Sequence, residues 1–425
     1  MERSGLFGWW QEGDAVAKKA LIAASLGWML DAFDVMLYAL VVTSIIRDLR
    51  IDSTTAGWIG SVTLIAAAAG GIFFGVLADK MGRTRALMFS VLLYSIFTAA
   101  CGFAQSALQL AVFRIFLGFG MGGEWASGAA LVSETWPDRV RGRALGFMQS
   151  SWAIGYALAA VVVYLVQTVL GFDWRVVFFV GVLPALFTVW VRRSVEEPAL
   201  WKQSRKEIRT HFPGNQSGNE SRSLFASAIA GPMLRITVFL TLMNAFCLFA
   251  WWGFNSWIPA YLSLPVSSGG AGFTAGAMNG LVFLNQIGMW FGYVTFGFIS
   301  DATGRKRAYV TYLVLASVCV WAYTSTTNGW MLIVLGPITS FFATGFFSGF
   351  GAVTAELYPT AVRATAQGLT YNLGRIASAA APWLVGGYAK THGFPAAITI
   401  AAMAYLLAAL CWSFIPETRG RTITS

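Results

Sequence analysis

Hydrophobic residues in this chain come in long blocks rather than in alternation. Twelve stretches of 18–30 residues stand out: 20–46, 55–78, 86–104, 107–133, 144–168, 174–191, 233–262, 273–299, 308–326, 329–355, 364–389 and 393–415. As helices they are long enough to cross a hydrocarbon layer of ~30 Å. No stretch shows the ten-residue alternation of a membrane β-barrel strand. The pattern predicts an all-α membrane protein with twelve transmembrane helices, here spans 1–12. One polar interval, 192–232, interrupts it. "RTHFPGNQSGNESRS" has the composition of a flexible linker. "EEPALWKQSRKEI" before it is amphipathic and is expected to lie on the membrane surface as a helix.

The two sides of that interval repeat each other at a constant offset of 222 residues. "GVLADKMGRTR" (75–85) returns as "GFISDATGRKR" (297–307), and "ETWPDRVRG" (134–142) as "ELYPTAVRA" (356–364). An ungapped offset means two homologous six-helix bundles, 1–191 and 233–425, joined by the linker. Both copies fall on the same side of the membrane, so the pseudo-symmetry axis runs along the membrane normal.

Composition agrees with this reading. Hydrophobic residues make up 57% of the chain and charged residues 11%, too few to cover a soluble core. The net charge of +10 could suggest nucleic acid, but its placement decides otherwise. If the N-terminus is cytoplasmic, 23 of the 29 Lys and Arg lie in cytoplasmic segments. The outer loops hold Arg47, Arg50, Arg175 and Lys390, and Arg114 and Arg375 fall inside spans. This is the positive-inside pattern. It predicts an inner (cytoplasmic) membrane protein with both termini cytoplasmic, and no nucleic-acid partner. Cys101, Cys247, Cys319 and Cys411 sit in four different spans with no CxxC spacing, and His211 and His392 fall in loops. Neither disulfide, metal nor cofactor is implied. Residues 1–19 are polar, and the apolar run after them is too long for a cleavable signal.

An ionised residue at mid-membrane costs at least ~2.5–3.5 kcal/mol, so it is kept only where it faces a cavity or a partner. Five residues qualify: Asp31 and Asp34 in span 1, Arg114 and Glu124 in span 4, and Arg375 in span 11. Three acids and two bases leave a surplus negative charge, so one acid should be able to hold a proton near neutral pH. Asp31 and Asp34 are three residues apart on one helix face. They suit reversible proton binding; the alternative is that they only hydrogen-bond neighbouring helices. Gly118 and Gly122 follow Arg114 at helical spacing and would let span 1 approach closely. Arg114 is therefore expected to pair with Asp31 or Asp34, or else with Glu124 as a static partner. Arg375 has no counterpart in the first half, where the offset lands on Ala153. A guanidinium at midplane suits a carboxylate bidentately. It is expected to hold a substrate anion, with Tyr371 and Asn372 one turn away; the alternative is a pair with Asp31 or Asp34 across the halves. Gln149, which matches Tyr371 in the repeat, together with Asn255 and Asn285, completes the expected substrate set. Ser150, Asn244 and Gln286 are weaker candidates. Trp251, Trp252 and Trp257 read as anchors or packing.

The doubled G-x-x-x-D-x-x-G-R-x-R loop resembles the signature of the major facilitator superfamily. So do "RIFLGFGMGGE", the paired E-x-x-P-x-x-x-R, "SVEEPALW" and "PETRG". "GWMLDAFD" followed by "RIFLGFGMGGEW" is similar to bacterial proton symporters of organic acids: sialate, aromatic-acid and lactate-type permeases. The resemblance implies the major facilitator fold and no enzymatic activity. It assigns Asp31, Asp34 and Arg114 to proton coupling, and Glu124 is expected to join them. It also implies a cytoplasmic gate of Asp79, Arg83, Glu134, Arg143, Asp301, Arg305, Glu356 and Arg363. The paired glutamines of sugar porters are absent from span 7, which reads "MNAFCLFAWWGFNSW". The expectation is a monomeric, proton-coupled symporter of a small organic anion working by rocker-switch alternating access, with protons as coupling ion and the bilayer as its surroundings. The rival is a proton-coupled drug or metabolite exporter.

Overall fold

The computed structural model describes residues 8–183, 185–186, 190, 197, 231–358 and 360–419. Within its helices a few side chains, those of Asp79 and Arg363 among them, lie outside the description. Nearly all of the linker 192–232, including its expected surface helix, is likewise outside.

The described residues are helical throughout, with no strand. Spans 1–5 are Ala15–Asp48, Ser53–Met81, Arg83–Cys101, Ala107–Thr135 and Asp138–Val163, the last extended by the π-helical turn Tyr164–Val169. Span 6 opens with Trp174–Val180. Span 7 is Gly231–Asn255 continued by Ile258–Ser263, span 8 Ala275–Thr303 and span 9 Arg305–Thr324. Span 10 runs through Gly329–Thr344, a tight turn at Gly345–Gly349, and Phe350–Leu357. Span 11 starts at Thr360–Ser378 and continues to Gly393, whose φ of 79° turns the chain into span 12, ending at Cys411. Eleven of the twelve expected spans are therefore described along their length, and span 6 by its opening. Their starts shift where polar caps set them. Asp14, Asp52, Ser106 and Thr274 each accept a hydrogen bond from the backbone N–H three residues on, a cap contributing about 0.5–2 kcal/mol.

The repeat is structural. Gly82 and Gly304 both adopt positive φ, 113° and 101°, and each alone joins two spans. A side chain would be strained there. Gly70 packs on the backbone of Phe119, and its repeat partner Gly292 packs on that of Phe341. Spans 2 and 4, and spans 8 and 10, thus meet backbone to backbone. Gly118 and Gly122 also face span 2, at Thr63 and Ala67. The expectation that they receive span 1 is corrected: their side of span 4 is turned toward span 2.

The first and last described residues, Gly8 and Arg419, lie on the face that carries the two loop motifs. There Trp9 and Trp10 pack on Trp136, and Glu417 caps span 9. On the opposite, distal face the two halves are sealed together. Ser53 Oγ donates to Gly386 O at 2.7 Å, and Ser61 Oγ accepts from Trp383 N at 3.2 Å. Gly57 lies against Pro382 and Trp383, and Lys390 Nζ pairs with Asp52 Oδ2 at 2.9 Å. Among the described residues the seam is open on the motif face: a Cβ added to Gly75, Gly146, Gly297 or Gly368 would meet none of them within 4 Å. Among the same residues the seam is shut at the distal face.

Candidate functional site

Span 1 runs through the centre of the first bundle, burying nearly its whole middle, and this carries both aspartates to depth. Asp31 and Asp34 are each 1% exposed. They do different things. Asp34 Oδ2 accepts from Thr98 Oγ1 of span 3 at 3.0 Å, while its Oδ1 has no partner. Asp31 turns toward the seam, where it interacts electrostatically with Arg375 of span 11 and Glu124 of span 4. Its Oδ2 has no hydrogen-bond partner. Glu124 is fully buried behind Gly27 and Gly128, and neither of its carboxyl oxygens has a partner.

Arg375 is 5% exposed, and among the described residues its guanidinium makes no ion pair and no hydrogen bond. Tyr371, one turn away, feels both Arg375 and Asp31. Asn372 approaches Gly71 of span 2, across the seam. Gln149 of span 5 lies within hydrogen-bonding reach of Tyr293 of span 8, so it too spans the seam. These residues, with Asp31, surround one region at the inner end of the open mouth.

Three expectations change. Arg114 pairs with none of the three acids among the described residues. Its guanidinium stacks on the Tyr38 ring at 4.2 Å, and its Nε donates to Thr63 Oγ1 at 3.1 Å, leaving Nη1 without a partner. The turn of span 4 toward span 2 aims it there. Together with Tyr38, Thr63, Trp257 and Pro382 it lines a cavity of about 30 Å³ just beneath the distal seal. Asn285 points into the second bundle, at Gly336 and Tyr323, rather than at the seam. Gln286, two turns from Tyr293, shares the seam-facing side of span 8 instead. Asn255 lies beyond the central region: its carbonyl accepts from Tyr156 of the first half at 3.4 Å, as part of the seal.

The loop-motif residues form two equivalent staples. Arg83 Nη2 meets Glu134 Oε1 at 2.8 Å, and Arg305 Nη2 meets Glu356 Oε1 at 2.9 Å. Asp301 also pairs with Arg305, and Arg143 is exposed on this face. Each staple lies within its own half, tying the span 2–3 connection to span 4 and the span 8–9 connection to span 10. Asp79 and Arg363 have side chains outside the description. Sequence reasoning missed a second symmetric device. Glu197 accepts from the backbone N–H groups of Thr84 and Arg85, and Glu417 from those of Arg305 and Lys306. Each carboxylate sits on the positive end of a helix, which gives "SVEEPALW" and "PETRG" a structural reason. Partial burial opposes ionisation of Glu417, but donors from Arg419, Arg305, Lys306 and Thr418 outweigh it and hold its carboxyl below the usual range. At the distal face, hydrogen bonds from Thr55 and Lys390 lower the Asp52 carboxyl to about 2.

Two repeated six-span bundles, meeting at a seam open on one face and lined at depth with charge, define a membrane transporter and not an enzyme. The family profile described as Major Facilitator Superfamily matches residues 24–284 and 263–425, and the chain belongs to that superfamily. It is 33% identical over 428 residues to a "Probable 4-methylmuconolactone transporter" of Cupriavidus pinatubonensis, covering 98% of this chain and 95% of that one. It is 30% identical over 400 residues to the sialic acid transporter NanX of Escherichia coli, covering 93% of each chain. Among solved structures, the partially occluded, inward-open xylose transporter XylE of E. coli superposes with a TM-score of 0.76, covering 96% of this chain and 100% of that one. At 18% identity, that likeness speaks for the fold alone.

Proposed function

We propose that the chain is a proton-coupled symporter of a small organic anion, a carboxylate, in the cytoplasmic membrane. The motif face, with both termini, is cytoplasmic, and the conformation described is inward-facing. The halves 1–191 and 233–425 rock about the linker 192–232. One observation carries this reading: Arg375, a buried guanidinium at the seam, makes no hydrogen bond and no close ion pair among the described residues and faces Asp31 of the other half only at longer range. A cation at that depth whose hydrogen-bond donors are unused is stabilised further by an anion, and its planar fork fits a carboxylate. The names of the two relatives, carriers of sialic acid and of 4-methylmuconolactone, support an organic acid as cargo.

The coupling follows from charge. Asp31, Asp34 and Glu124 form an acidic cluster that binds the proton, and Arg375 binds the anion. Proton and anion carry opposite charges, so loading both leaves the net charge of the seam as it is in the empty carrier, and closing the motif face then costs least. With only one loaded, an unbalanced charge would have to be occluded. Arg83, Glu134, Arg305 and Glu356 keep each half rigid at the cytoplasmic face, where Arg143 is exposed. The test is Arg375→Lys, which keeps the charge and removes the fork. It is expected to weaken carboxylate binding about tenfold or more; unchanged affinity, measured by calorimetry on purified protein, would move the anion site elsewhere.

A further inference from the structure

Four indoles meet at the inner end of the open mouth. Trp28 of span 1 lies 4.6 Å from Trp152 of span 5, centroid to centroid. Trp152 in turn meets Trp251 and Trp252 of span 7 edge-on, at 5.6 and 6.4 Å, across the seam between the halves. Trp28 is one turn from Asp31, and Trp152 one turn from Gln149. Trp251 is two turns from Asn244, whose Oδ1 has no partner and which packs on Gly374 beside Arg375. One turn beyond Trp152 and Trp251 the Tyr156–Asn255 contact begins the distal seal. The indoles are thus the end wall of the mouth.

Their N–H groups set them apart. Nε1 of Trp28, Trp152 and Trp251 are all buried without an acceptor. Elsewhere Trp136, Trp174 and Trp257 donate to Ala17 O, Asp48 Oδ2 and Pro382 O; Trp412, inside the second bundle, is the other exception. Buried indoles usually find a partner for N–H. Three orphaned donors on indoles in mutual contact, one turn from Asp31 and Gln149, form a constellation that an oxygen-bearing flat molecule would complete. The spacing agrees. A ring held at van der Waals distance on both faces needs ~7 Å between its neighbours, against the 5.6 and 6.4 Å that separate the indoles across the seam.

We propose that Trp28, Trp152, Trp251 and Trp252 are the specificity wall of the transporter, and that the anion held at Arg375 is a planar aromatic or conjugated carboxylate slotted against Trp152. This rests on the reading of Arg375 as the anion site. Trp28 and Trp152 stay with one half and Trp251 and Trp252 with the other, so a flat cargo is gripped by both halves at once. Each aromatic face in contact favours a ring by about twofold to tenfold beyond its buried area.

The test uses two probes of equal charge and ring size, benzoate and cyclohexanecarboxylate, titrated into the purified full chain by calorimetry and by quenching of tryptophan fluorescence. Benzoate is expected to bind at least tenfold tighter. Trp152→Leu should reduce that ratio to within about threefold, chiefly by weakening benzoate, and Trp152→Phe should retain most of it. Arg375→Gln should weaken both acids alike. A wild-type chain that does not prefer benzoate, or a folded Trp152→Leu chain that keeps the full preference, overturns the wall. Should Trp152→Leu fail to fold, the wild-type ratio and Trp28→Leu decide. Indifference of both acids to Arg375→Gln overturns the anion site instead, and a chain that binds neither acid overturns both.

Discussion

The shut distal seam makes a quantitative prediction. Gly57 of span 2 has no side chain because Pro382 and Trp383 of span 11 occupy the space where its Cβ would be. Neither can easily retreat. The Pro382 carbonyl accepts from Trp257 Nε1 at 2.9 Å, and Trp383 N is held by Ser61. Gly57→Val places three carbons against that backbone. Overpacking of this kind costs about 1–3 kcal/mol, and the cost falls only on the conformation in which the distal faces touch. The equilibrium should therefore move about 5–150-fold toward distal opening. Ala56, beside it, is 1% exposed. In a chain with the four native cysteines replaced, Ala56→Cys should react slowly with a membrane-impermeant maleimide from outside. Adding Gly57→Val should raise that rate by the same factor. Gly75→Val, in the open half of the seam, should lower it, because it obstructs only the opposite closure. A folded Gly57→Val chain with an unchanged labelling rate would refute the reasoning.

The coupling cluster and the helix-capping carboxylates can be tested separately. Asp31→Asn should abolish proton-driven accumulation in proteoliposomes while leaving substrate counterflow; loss of neither would remove Asp31 from the coupling path. Glu417→Gln weakens a charge–helix interaction at an exposed site, so it should lower stability by about 0.5–1 kcal/mol. The Glu417 carboxyl is held below its ordinary range. Its contribution is therefore complete above the unfolded value of about 4.3 and fades as pH falls through the lower, folded value. The melting difference between wild type and variant should stay constant from pH 6 to 8 and shrink toward pH 4.

What the sequence reveals here, and what it hides, follows from the range of each interaction. Apolar blocks, caps and the 222-residue repeat are local or periodic signals, so the spans could be read directly, whereas the Arg and Glu of the loop motifs come into view through the family resemblance and as a gate, not as staples. The rotation of a helix about its axis is set by its neighbours. That is why Arg114 goes to Tyr38 and Thr63 instead of an acid, and why Gln286 rather than Asn285 faces the seam: adjacent helical residues point ~100° apart. Glu197 and Glu417 act on backbone more than a hundred residues away, and nothing local marks them as caps. Trp28 and Trp152 sit in apolar runs where an indole looks like packing. Only their unmatched N–H groups, visible once the halves are brought together, distinguish them.

The central claim is that anion and proton cross together. Purified protein in liposomes with a pH-sensitive dye outside tests it directly, with benzoate added under no pre-existing proton gradient. Co-transport predicts that the external medium turns alkaline as benzoate enters, that the change saturates with benzoate, and that it disappears in Arg375→Gln and Asp31→Asn. Saturable benzoate entry through the wild-type protein with no movement of the external pH would contradict it.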